Sequence, residues 1–76
     1  MNNQRRKALG EINNKLEDIK GDIEMLRDEE QEYIDNMPES LQSGEKHDQA
    51  ENAVSSMDDA INGLDDIIGR VEEATA

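Results

Sequence analysis

The only histidine in the chain, His47, has Glu51 four residues ahead of it, a spacing that places an imidazole and a carboxylate on one face of a helix. Such a pair can offer two ligands to one metal ion, yet metal sites in helical bundles draw inward-facing acids and histidines from several helices. No metal site and no cofactor is expected here. Read with Lys46 and with Glu30 and Tyr33 from the first half of the chain, His47 belongs to a polar group that combines an acid, a phenol, an ammonium and an imidazole. One reading makes this group a polar layer that fixes register and orientation at some cost in stability. The other makes it a binding site, in which Tyr33 stacks on a flat ligand or anchors a protein partner while Lys46 and His47 hold an anion.

A second candidate is a ridge of carboxylates in the second half. Glu51, Asp58, Asp65 and Glu72 recur one heptad apart, with Asp59, Asp66 and Glu73 beside the last three. Regularly spaced acids on a rigid rod can imitate a phosphate backbone and occupy a basic channel on another protein. The more ordinary reading is a solvated helix face that keeps a small protein in solution. Part of the ridge can also serve the fold, because Arg5, Arg6 and Lys7 should lie near Glu72 and Glu73 if the two halves pack antiparallel.

Composition narrows the classes further. The 76 residues hold twenty acids and eight bases, a net charge of −12, so direct binding to nucleic-acid phosphates or anionic lipid is not expected. With no cysteine, thiol catalysis, disulfides and Cys-ligated metal clusters are excluded. There is no phosphate-binding glycine loop and no His-Glu-x-x-His pair, and two helices offer no deep cleft in which a nucleophile and base would converge, so no enzymatic activity is expected. No apolar run has the length of a bilayer span, which reads as a chain of the cytoplasm.

The elements that must position these residues follow from periodicity. Leu9, Ile12, Leu16, Ile19, Ile23, Leu26, Glu30, Tyr33 and Met37 recur at alternating steps of three and four, and Ala50, Val54, Met57, Ile61, Leu64, Ile68 and Val71 do the same. This predicts two long helices, about 3–37 and 44–75, within a single helical-hairpin domain spanning 1–76. Pro38 should end the first, a turn should occupy 38–43, and Ser43 should cap the second, with Glu45 and Asp48 in its first turn.

So short a connection makes the helices antiparallel neighbours. The expected opposing pairs are Leu26 with Val54, Ile23 with Met57, Ile19 with Ile61, Leu16 with Leu64, Ile12 with Ile68 and Leu9 with Val71, all apolar. A flanking row of Ala53, Ala60, Ile67 and Ala74 widens the stripe of the second helix beyond what a two-helix seam uses. The expected architecture is therefore all-α: an antiparallel, coiled-coil-like hairpin that dimerises into a four-helix bundle.

The stretch Arg27-Asp28-Glu29-Glu30-Gln31-Glu32-Tyr33-Ile34-Asp35-Asn36-Met37-Pro38-Glu39-Ser40-Leu41-Gln42 resembles small acidic helical proteins encoded by tailed phages and prophages, and the acidic heptads of the second helix look like theirs. The resemblance implies a viral accessory origin and carries over no catalytic or binding residue. The leading expectation is a nonenzymatic protein that binds and inhibits a basic host protein, in host takeover or anti-defence, through the acidic ridge. Two others stand beside it: an oligomeric sponge for an anionic or nucleotide signalling ligand near Tyr33, Lys46 and His47, and a structural or assembly adaptor that pairs with another helix.

Overall fold

The computed structural model describes residues 1–76. Helix α1 runs Asn3–Asp35 and helix α2 runs Glu45–Thr75, joined by a connection that holds one short 3-10 turn, Glu39–Leu41. Asn2 caps α1 by accepting a hydrogen bond from the Arg5 amide at 2.8 Å, which satisfies one of the donors left free at a helix start. Charged and other long straight-chain residues fill much of the helix surfaces at little conformational cost, while the apolar repeat gives each helix something to bury.

α1 stops two residues earlier than the apolar repeat. Pro38, in extended geometry (φ −57°, ψ 147°), disfavours the helical region at Met37, whose amide instead donates to the Ile34 carbonyl at 3.1 Å. Met37 is nonetheless buried, and Gln42 Nε2 donates to its carbonyl at 3.3 Å. The cap of α2 is Gly44, not Ser43. The Gly44 amide closes a tight turn onto the Leu41 carbonyl at 3.1 Å, and a side-chain carbon at this position would stand 3.3 Å from that same oxygen, so the close approach suits the residue that lacks one. Glu45 and Asp48 do lie in the first turn of α2, where the helix dipole favours them.

The helices pack side by side as an antiparallel hairpin, a rod 60 × 14 × 12 Å in extent. Asn13 Nδ2 reaches the Ile68 carbonyl, Lys20 reaches Asp65 and Arg27 reaches Asp58, so the start of α1 lies beside the end of α2. On α2 the expected seam is the observed one: Ala50, Ile61 and Ile68 are buried, and Val54, Met57, Leu64 and Val71 are half-buried.

On α1 the expectation needs a correction. Leu9, Leu16, Ile23, Glu30 and Met37 lie in the seam, but Ile12, Ile19, Leu26 and Tyr33 sit at its outer edge; they are 46%, 48%, 52% and 49% exposed. Their places are taken by Asn13, Lys20, Arg27 and Ile34, each one residue later. The physical reason is that α1 has two rows flanking a shared one, and two helices share only one face. Rolling Asn13, Lys20 and Arg27 inward lets the aliphatic stems of Lys20 and Arg27 cover the seam while the three polar ends bond the Ile68 carbonyl, Asp65 and Asp58. The other flank is left outside.

Candidate functional site

Because both helices carry heptads and run antiparallel, matching flanks come together on each side of the hairpin. One side gathers Asn13, Lys20 and Arg27 of α1 with Glu51, Asp58, Asp65 and Glu72 of α2. The opposite side gathers Ile12, Ile19, Leu26 and Tyr33 with Ala53, Ala60, Ile67 and Ala74.

The first side is laced by charge. Lys20 Nζ lies 2.6 Å from Asp65 Oδ1, and Arg27 bonds Asp58 at 2.9 Å through Nη1 while Nη2 and Nε hold Asp28 at 3.1 Å. The hydrogen bond to Asp65, reinforced by its charge, raises the Lys20 ammonium above the ordinary lysine value; the hydrogen bonds to Asp58 and then Asp28 raise the Arg27 guanidinium in the same way. The stems of Lys20 and Arg27 are part-buried while Asp65 and Asp58 stay about half exposed, so water reaches the charged ends and the pairs set orientation more than stability.

The acidic ridge is thereby divided. Asp58 and Asp65 are engaged by α1, and Glu51 lies 3.4 Å from His47 Nε2. Asp59, Glu72 and Glu73 have no cationic partner, and Asp66 stands 3.9 Å from Arg70 with both side chains in solvent. Arg5, Arg6 and Lys7 form no ion pair with Glu72 or Glu73: all three bases are exposed, and Arg6 instead donates to Asn3 Oδ1 at 3.2 Å. Near the hairpin's open end, tying down such long side chains costs rotamer freedom that a solvated pair does not offset.

The polar group near the turn is also divided. Glu30, Tyr33 and Lys46 line an open hollow of about 220 Å³ whose remaining walls are Gln49, Ala50 and Ala53. Tyr33 and Lys46 also border a second hollow of about 170 Å³ with Met37, Leu41, Gly44 and Glu45. His47 borders neither, because it lies on the seam row of α2 and packs inward, its Nδ1 buried without a hydrogen-bond partner. His47, Asp48 and Glu51 bring three ligand atoms within 4.8 Å of one another, but Asp48 approaches Nδ1 and Glu51 approaches Nε2, so the acids flank opposite ring nitrogens.

Chemically, the larger hollow offers the Lys46 ammonium, the Gln49 amide and the Tyr33 hydroxyl as donors, opposed by the Glu30 carboxylate. Sites for drug-sized ligands run from roughly 300 Å³ upward, so this hollow is small for a nucleotide. Sequence reasoning missed Asn13, Lys20 and Arg27 as cross-helix ligands of α2. Their signal was present, since together with Ile34 they recur at a strict seven-residue spacing beside the shared row. In comparisons with known proteins, no family model, curated protein or solved structure matches this chain.

Proposed function

We propose that this chain is a nonenzymatic accessory protein of the phage type, which binds and inhibits a basic host protein through the outward acids of α2. The observation that carries the reading is the partition of the ridge: Asp58 and Asp65 are held by α1, whereas Asp59, Asp66, Glu72 and Glu73 project from a rigid helix with no firm cationic partner. Spaced one heptad apart, Asp59, Asp66 and Glu73 present a regular line of negative charge, and a net charge of −12 extends its reach at low ionic strength. The sponge reading is weaker, because the hollow beside Tyr33 and Lys46 is small and contains Glu30, which repels an anion.

The experiment is capture from bacterial lysate at low salt and again near about 0.5 M, where screening shortens electrostatic reach to a few ångströms. A basic protein should be retained at low salt, released at high salt, and lose activity when the chain is added. The variant Asp59→Asn, Asp66→Asn, Glu72→Gln, Glu73→Gln should release it while helicity by circular dichroism is unchanged. Undiminished capture by that variant would remove the outward acids from the account.

A further inference from the structure

We infer that the exposed apolar side of the hairpin is the docking face for a second copy of this chain, closed by a two-fold axis parallel to the rod. The inference does not rest on the acidic side having any partner.

The first ground is shape. Ile12, Ile19 and Leu26 on α1, all about half exposed, form a row of large side chains, while the adjoining row of α2 is mostly small: Ala53, Ala60 and then Ile67. The contact of Asn13 with Ile68, and the hollow that joins Glu30 and Tyr33 to Lys46 and Ala50, put Ile12 level with Ile67, Ile19 with Ala60 and Leu26 with Ala53. Rotation by half a turn about an axis along the rod keeps every level and sets α1 of each copy against α2 of the other. Ile19 and Leu26 of each copy then fill the space over Ala60 and Ala53 of its mate at both contacts at once, while Ile12 meets Ile67. Every helix in the resulting bundle has antiparallel neighbours.

Charge is the second ground. Two copies each carrying −12 repel, so they can approach only where acids are sparse. On α2 the row bordering this side is Gln49, Ser56, Gly63 and Arg70, without a single acid, and all the heptad-spaced carboxylates of the ridge lie on the other rows. On α1 the bordering acids are Asp22 and Glu29, which the same rotation brings level with Ser56 and Gln49 of the second copy, both hydrogen-bond donors. A foreign basic partner would be drawn to the opposite side of the rod.

Shortage of core is the third. The apolar row from Ile12 to Tyr33 runs for about 32 Å along the rod, and covering it gives each hairpin a second buried seam. Without it the chain keeps only five of its 76 residues buried.

The test uses the full chain, which lacks cysteine, so single-cysteine variants give unambiguous cross-links. Ile19→Cys and Ala60→Cys chains, co-refolded and treated with a short bismaleimide, should join to each other in preference to either joining its own kind. An Asp18→Cys and Asp59→Cys mixture should give only collisional background. In parallel, Ile19→Lys with Leu26→Lys should raise the dissociation constant for self-association by at least about 100-fold, from the loss of two buried apolar side chains in each copy. Absence of the preferred cross-link overturns the inference, whether or not the lysine variant folds. So does a lysine variant that still sediments as two chains, a native chain that sediments as one, or a native assembly larger than two.

Discussion

The two sides of the hairpin solve the same packing problem in different ways. On one, α1 sends Asn13, Lys20 and Arg27 across to a backbone carbonyl and two carboxylates, so each of these donors finds an acceptor on α2. On the other, Ile12, Ile19 and Leu26 stay about half exposed at the same seven-residue spacing, and Tyr33 only borders the open hollow beside Lys46. Polar contacts of this kind select a register without supplying much burial, and apolar rows supply burial only when something covers them. The contrast teaches that a hairpin can be well defined in alignment and still be poor in core.

Substitutions can break that contrast or sharpen it. The largest loss of stability should come from the shared seam: Ile61→Ala, at one of the few buried sites, should cost about 2–3 kcal/mol, read from the thermal midpoint of the helical signal. A loss under about 0.5 kcal/mol would mean that Ile61 is not in a packed core. Next, Asn13→Leu should raise stability by about 1 kcal/mol, because it removes a seam side chain whose Oδ1 is buried without a partner and adds apolar burial. The same variant should loosen the antiparallel register, seen as broadened distances between spin labels at the two chain ends. A destabilised variant would show instead that the bond to the Ile68 carbonyl outweighs the orphaned oxygen.

Smaller again are the ion pairs. Arg27→Met should lower the midpoint slightly at low salt, and the difference from the native chain should shrink as salt is added; a difference that persists at high salt would show that Arg27 acts through packing alone. The smallest effect is in alkali. The Lys20 value is raised by Asp65, so its contribution is fully present below the ordinary lysine range and is lost as pH rises through the folded value. Native chain and Lys20→Met should therefore differ in midpoint at neutral pH and converge above that range. Parallel curves throughout would remove the pair from the account.

Much of this arrangement was legible in the sequence. The α2 seam was readable because the other rows of that helix are polar or acidic, apart from a flanking row that is mostly alanine, so one stripe stands out as the core. α1 was ambiguous, since Leu9, Leu16 and Ile23 belong equally to a stripe completed by Ile12, Ile19 and Leu26 or to one completed by Asn13, Lys20 and Arg27. Hydrophobicity favours the first; the reach of Lys20 and Arg27 to Asp65 and Asp58 decides for the second, and that reach depends on the register between helices, which spacing within one helix does not show. The polar group at the turn was half legible for the same reason. Glu30, Tyr33 and Lys46 do converge, but one step around α2 carries His47 into the seam.

The central claim is that the two sides have separate roles, one apolar and self-complementary, the other charged and left outward. Sedimentation equilibrium of the native chain, at low salt and near about 0.5 M, tests it most directly, because screening weakens contacts between opposite charges and relieves repulsion between like ones. The account predicts a mass of two 8.6 kDa chains that holds or tightens as salt rises. A single chain at both salts, or a dimer that dissolves as salt rises, would contradict it.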